Sequence, residues 1–209
     1  MWTVTLALVA SLCAPEVCPA TVAPGTAYQG VADSLRATFE KGQTWADFYA
    51  AVDRRRDVWE GSWSSVQIPE ALAARARAAG KFRILVVTES GCSDSANSVP
   101  VLARIVEAAP NLEMRLVNAA TGRQWMERYR TPDGRAATPT VLVLDDEFRI
   151  RSVWVEQPKE LQAFWLPIVA RKESGARFGE KMEWYKKDEG RAIMGELVEA
   201  IEAAASGAP

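Results

Sequence analysis

The stretch "FRILVVTE", residues 82–89, constrains this chain more than any other. It is a nearly continuous run of aliphatic and β-branched residues, the pattern of a strand buried on both faces. Such a strand needs helices packed on each side, and the neighbouring sequence supplies them. "QTWADFYAAVDRRRDVWEGSW" (43–63) offers Thr44 as an N-cap with Asp47 three residues on. Trp45, Phe48, Tyr49, Val52 and Trp59 then recur at helical spacing and predict one amphipathic helix. The "DRRRD" cluster at 53–57 reads as its solvated face. "IPEALAARARAAG" (68–80) is a second helix, with Pro69 in a first-turn position and Gly80 as its stop.

After the strand, residues 94–109 are helical again, with Val99, Leu102, Ile105 and Val106 on one stripe and Pro100 removing one backbone donor inside. "LEMRLVNA" (112–119) is a second strand, "GRQWMERYR" (122–130) a short helix and "TPDGRAA" (131–137) a loop. "TPTVLVLDDEFRIRSVWVEQ" (138–157) reads as two strands joined at Asp145-Asp146, hence an antiparallel hairpin. The final third is helical, with Met194, Leu197, Val198 and Ile201 holding the 3.6-residue period. A β-α-β unit followed by a hairpin and a covering helix predicts an α/β fold: a mixed four-stranded sheet flanked by helices, with helical extensions at both ends. The strands are expected near 82–89, 112–119, 139–144 and 148–155, the third antiparallel to the first.

Composition removes much chemistry. The 209 residues contain no histidine, which excludes Ser-His-Asp and Cys-His catalysis and histidine-ligated zinc. Three cysteines without a Cys-x-x-Cys pair build neither a structural zinc site nor a disulfide framework. No Asp-x-Asp-x-Asp-Gly loop, Gly-x-Gly-x-x-Gly or Walker A sequence is present, so neither a metal nor a cofactor is expected. A net charge of −2 without a long basic run argues against a nucleic-acid partner.

The apolar run from Trp2 to Cys13 is too short to span a bilayer and suits a signal-peptide core. Cleavage after Ala20 or Ala27 would satisfy the small-residue rule, although no Lys or Arg precedes Arg36. Cys13 follows Leu12, a poor match to a lipoprotein site. The expected organisation is a leader over 1–27 and one domain over 28–205. Export to the periplasm follows if the leader is a signal peptide, and a cytoplasmic location otherwise; membrane attachment would come only through an uncleaved leader. Removal of the leader takes Cys13 and Cys18 with it and leaves Cys92 as the sole thiol.

Cys92 lies after the buried strand and before a helix N-terminus, where unpaired N–H groups and the helix dipole favour thiolate. Asp94 suits the helix start but repels a thiolate, and the Ser95 hydroxyl could donate a hydrogen bond to the sulfur. The competing reading is a buried, inert cysteine, since free Cys is among the most buried residue types. Position alone does not separate the two.

The stretch Cys92-Ser93-Asp94-Ser95, with Pro100 five residues past Ser95, resembles the active-site segment of the thioredoxin superfamily: strand, Cys-x-x-Cys turn, helix, and a proline at that spacing. "ATPTVLVLD" (137–145) resembles the second landmark, a Thr-Pro bond before the third strand that is cis and faces the thiol; Thr138 and Pro139 take those roles. Most of residues 33–203 resembles a bacterial thioredoxin-like subfamily with Trp-Cys-Gly-Asp-Cys, an N-terminal helical extension and a Tyr-rich C-terminal helix, here "WYKKDEGRAIMGEL" (184–197). The resemblance implies Cys92 as the attacking thiol, Ser95 at the second-cysteine position, Thr138 and Pro139 against substrate, and Asp94 and Pro100 in support. Its partners would be protein or small-molecule thiols and disulfides.

Three departures bear on chemistry. Ser95 replaces the second cysteine, Gly91 replaces the usual tryptophan, and Val86 stands where thioredoxins carry a buried acid. Two functions remain open. One is a monothiol protein acting in thiol–disulfide exchange by mixed-disulfide formation. The other is a non-catalytic binding or scaffold module that keeps the groove beside Pro139. "DDE" at 145–147 reads as a hairpin turn, and Trp45, Trp59 and Trp165 as core; Trp184 and Tyr185 carry no assignment.

Overall fold

The computed structural model describes residues 24–206. The apolar leader, Cys13, Cys18 and the cleavage point at Ala20 lie outside the described residues, and Ala27 falls within the first helix. In chain order the elements are α1 (Pro24–Glu40), α2 (Trp45–Ala50), α3 (Arg56–Ser65), α4 (Glu70–Ala78), β1 (Phe82–Val87), α5 (Ser93–Ala108) and β2 (Leu112–Val117). There follow α6 (Ala119–Arg128), β3 (Thr140–Leu144), β4 (Ile150–Val155), α7 (Lys159–Ala170), α8 (Phe178–Asp188) and α9 (Arg191–Ser206). The strands form one mixed sheet in the order β2-β1-β3-β4. β1 runs parallel to β2, with Val86 opposite Leu116, and antiparallel to β3, with Val86 opposite Val141. The fold is the thioredoxin-like α/β arrangement expected.

β1 is hydrogen-bonded on both edges, and Ile84, Leu85, Val86 and Val87 are fully buried. Alternation along the strand divides them between two cores. Ile84 and Val86 join Trp59, Leu102, Trp165 and Leu197 on the face covered by α3, α5, α7 and α9. Leu85 and Val87 join Leu35, Phe39, Trp125 and Phe148 on the face covered by α1 and α6. Each such side chain contributes about 1.5–3 kcal/mol of burial, so a polar residue on either face would be costly.

Thr44 caps α2 as expected, its hydroxyl accepting from the Asp47 N–H at 3.2 Å. The single helix expected over 44–63 is instead two. Arg55 adopts a left-handed conformation (φ 52°) between α2 and α3, and the Arg56 guanidinium donates to the Tyr49 and Val52 carbonyls at the end of α2. The period survives the break because both pieces press aromatic rings into one cluster, with Trp45 5.0 Å from Tyr49 and 5.1 Å from Trp63. Trp59 and Trp165 are core, and Trp45 packs against it.

The hairpin at 145–147 is a turn: Asp145 Oδ1 accepts from the Glu147 and Arg149 N–H groups, and Phe148 takes a positive φ of 60°. β4 therefore begins at Ile150 rather than 148. β1 and β2 each stop two residues early. Thr88 N–H still reaches the Val117 carbonyl, but the chain then turns toward α5, and Asn118 accepts from the Thr121 N–H as the N-cap of α6. Among the described residues, no helix is long and apolar enough to cross a membrane.

α6 approaches β1 closely at Gly122, where a Cβ would fall within 3.0 Å of the Cβ and both methyl carbons of Val87. Gly122→Ala should therefore lower stability by about 1–3 kcal/mol through overpacking. Denaturant unfolding measures it, and an unchanged midpoint would contradict this helix–strand contact.

Candidate active site

The site forms where β1 ends. Five residues, Thr88 to Cys92, connect it to α5, closing with the Cys92 N–H donating to the Glu89 carbonyl at 3.1 Å. Cys92 is the N-cap of α5, with extended backbone (φ −83°, ψ 125°), and its carbonyl accepts from the Ala96 N–H. The residue is half-buried. The S–H donates to the Thr138 carbonyl at 3.2 Å. The Thr138–Pro139 peptide bond is cis. Its segment is held from both ends, by the Thr140 hydroxyl on the Ala137 carbonyl at 2.8 Å and by the Glu156 N–H on the Pro139 carbonyl at 2.7 Å. The two landmarks separated by 46 residues in the chain thus meet at the sulfur.

Ser95 and Asp94 are not arranged as expected. Ser95 is fully buried and its Oγ has no hydrogen-bond partner among the described residues. The extended N-cap backbone directs the sulfur to the Thr138 carbonyl instead. Asp94 does not face the thiol as a bare charge. One carboxylate oxygen accepts from Lys181 Nζ at 2.7 Å and the other from the Tyr185 hydroxyl at 2.6 Å. All three residues are at most 5% exposed. Lys181 also lies 5.0 Å from the centre of the Trp165 ring. Burial first, then the charge of Asp94 and the hydrogen bond to it, hold the Tyr185 phenol well above its ordinary value of 10.0. Val86 is core and pairs with Val141, so no acid lies beneath the turn at that position. Pro100 is buried inside α5.

A second buried carboxylate sits behind the cis peptide. Glu156, 5% exposed, takes two bonds from Arg135, at 2.8 and 3.0 Å. These bonds are the main reason the guanidinium is held more firmly protonated than usual.

The "DRRRD" cluster, expected only as a solvated face, docks on the active-site turn. Asp53 accepts from the Ser90 hydroxyl at 2.6 Å, which with its other bonds holds its carboxyl below the ordinary range. Arg55 Nε donates to the Gly91 carbonyl at 2.8 Å. The Arg54 guanidinium lies so close to Gly91 that a Cβ there would meet three of its atoms between 2.8 and 3.1 Å. The space that a side chain at position 91 would need is filled from the α2–α3 connection. Trp59 Nε1 adds a bond to the Ser90 carbonyl at 3.0 Å. These contacts, with Lys181 and Tyr185, escaped sequence reasoning. The cluster's three consecutive arginines were its only signal, and "WYKK" carried none beyond its place in the tail. Among the described residues, no group of three His, Cys, Asp or Glu side chains could hold a metal ion.

A family model described as thioredoxin matches residues 42–174. The chain belongs to the thioredoxin family. Among solved structures, it is similar to a protein of unknown function from Pseudomonas aeruginosa, at 23% identity and a TM-score of 0.60, over 80% of this chain and 96% of that one. An HIV epitope scaffold, 4E10, matches over the same shares at 24% identity and a TM-score of 0.61. Both likenesses concern the fold. No curated protein matches the chain.

The buried phenol gives a pH signature. Its folded value lies above the unfolded one, so its contribution is fully present below about pH 10 and is lost as pH rises beyond that, at up to about 1.4 kcal/mol per unit. Stability measured by denaturant unfolding should fall above pH 10 in the natural protein, and Tyr185→Phe should flatten that fall. Equal slopes in the two proteins would mean that the phenol is not buried.

Proposed function

We propose that the protein is a monothiol member of its family, acting in thiol–disulfide exchange through Cys92. The observation that carries this reading is the half-buried Cys92 at the N-terminus of α5, its sulfur 3.2 Å from the Thr138 carbonyl before Pro139. In the first step a lone pair of the Cys92 thiolate attacks one sulfur of a disulfide. The Cys92–S bond forms, the substrate S–S bond breaks, and the other sulfur leaves as a thiolate. With serine at position 95 no neighbouring thiol can displace the adduct. A second, external thiol attacks the substrate sulfur of the mixed disulfide and returns Cys92 as thiolate. The substrate sulfur leaves joined to that thiol in a new disulfide, so each turnover exchanges one external thiol for one thiolate of the substrate. Export with removal of the leader would make Cys92 the only thiol in the mature chain, and the mass of the natural N-terminus tests that placement.

The second reading, a binding module without turnover, draws on the buried hydroxyl of Ser95, which has no hydrogen-bond partner among the described residues. It expects a Cys92 that does not exchange.

One pair of substitutions decides between them. Ser95→Cys restores a resolving thiol one helical turn from Cys92, at the high effective concentration of an intramolecular group. It should form a 92–95 disulfide on oxidation and raise reduction of a protein disulfide in the presence of a chemical reductant. Cys92→Ser should abolish adduct formation with small disulfides. A folded Ser95→Cys protein that forms no 92–95 disulfide, with a natural protein that forms no Cys92 adduct, would establish the binding reading.

A further inference from the structure

The partners of Asp94 come from α8, which begins at Phe178, beyond the residues that match the family model. A carboxylate two residues from the attacking sulfur, in the first turn of its helix, opposes the negative charge that the sulfur must carry in exchange. Buried away from water, that opposition is poorly screened. Here the carboxylate is closed off by an ammonium at 2.7 Å and a phenol at 2.6 Å, leaving neither oxygen without a donor.

We propose that Lys181 and Tyr185 are positioning residues for Cys92: by neutralising and orienting Asp94, α8 removes the charge that would otherwise repel the attacking thiolate. The inference rests on the exchange reading above. The other charges around the turn have separate partners. On the α2–α3 connection, Asp53 is bonded to Ser90 and offset by Arg54, while Arg55 is tied to the Gly91 carbonyl. Glu89 accepts from the Ala119 N–H, and after β4 Glu156 is held by Arg135. Among the described residues, Asp94 is the one carboxylate near the turn whose counter-charge is a buried lysine on a separate C-terminal helix. The ammonium of the same lysine also lies over the Trp165 ring, 5.0 Å from its centre, so its charge is held from two sides.

The test is the rate at which Cys92 of the full chain reacts with iodoacetamide, a neutral alkylating agent, followed by peptide mapping. Lys181→Met should slow the reaction by about tenfold at mildly alkaline pH, the scale of a nearby unit charge in a partly screened site. The deficit should shrink at strongly alkaline pH, where the thiol is ionised with or without the extra negative charge beside it. Adding Asp94→Asn to Lys181→Met should restore the natural rate, an outcome that a purely structural role for Lys181 does not give. Asp94→Asn alone should react at least as fast as the natural chain while melting at a lower temperature. A folded Lys181→Met that reacts at the natural rate at every pH would overturn the inference, as would failure of Asp94→Asn to restore it. If Lys181→Met does not fold, a slower Asp94→Asn would overturn it just as well, because Asp94 would then be supporting the thiolate. A natural Cys92 that resists alkylation altogether overturns the exchange reading itself, which separates the two failures.

Discussion

Everything in this molecule is arranged around a strand that cannot touch water. β1 is hydrogen-bonded on both edges and sealed on both faces, with four consecutive residues fully buried. That constraint demands helices above and below, which α5 and α9 supply on one side and α1 and α6 on the other. It also fixes where chemistry can occur. A strand with no exposed face offers function only at its end, and in open α/β sheets the carboxyl ends of the strands are where sites form. The chain leaves β1 at Val87 and reaches the N-cap of α5 at Cys92. The antiparallel neighbour β3 starts at the same end of the sheet, with Thr140 opposite Val87, and so delivers Thr138 to the sulfur.

The electrostatics of the site are built from buried pairs rather than isolated charges. Breaking a buried pair by deleting one partner typically costs about 3–5 kcal/mol, whereas exposed pairs contribute about 0–1 kcal/mol. On that scale the many surface bridges of this chain, such as Arg56–Glu60, matter little. Asp94–Lys181 and Arg135–Glu156 matter more, since a carboxylate in each is nearly inaccessible to water. Both pairs join elements distant in the chain, α5 to α8 and the loop before β3 to the end of β4. They anchor the two segments that carry Cys92 and Pro139. The pairs are thus structural members of the site, and substitution of one partner alone should be read with its counterpart in view.

The parts of this structure legible in the sequence are those governed by short-range periodicity and by fixed spacing. The apolar run at 82–87 announced β1, the alternation either side of Asp145 announced the hairpin, and Cys92 and Thr138-Pro139 announced the site at which they meet. What stayed hidden depended on tertiary geometry. The break at Arg55 left no trace because Trp45, Tyr49 and Trp63 keep one aromatic cluster across it. Arginines 54 and 55 looked solvent-facing, and they are exposed, yet they also hold the turn through Gly91. Asp94 was legible as a helix-start residue, but its partners lie 87 and 91 positions further on, and no local pattern predicts such a pairing. Ser95 was legible as a missing thiol, and the lack of a hydrogen-bond partner for its hydroxyl among the described residues was not.

The central claim is that Cys92 is an attacking thiol beside the Thr138–Pro139 peptide. The most direct measurement is a crystal structure of the protein after reaction, without denaturant, with the small neutral disulfide of 2-mercaptoethanol. If the claim holds, electron density will continue from the Cys92 sulfur into one mercaptoethanol sulfur, with the adduct lying beside Thr138 and Pro139 and Ser95 unmodified. An unreacted Cys92, its sulfur still against the Thr138 carbonyl after prolonged exposure, would contradict it.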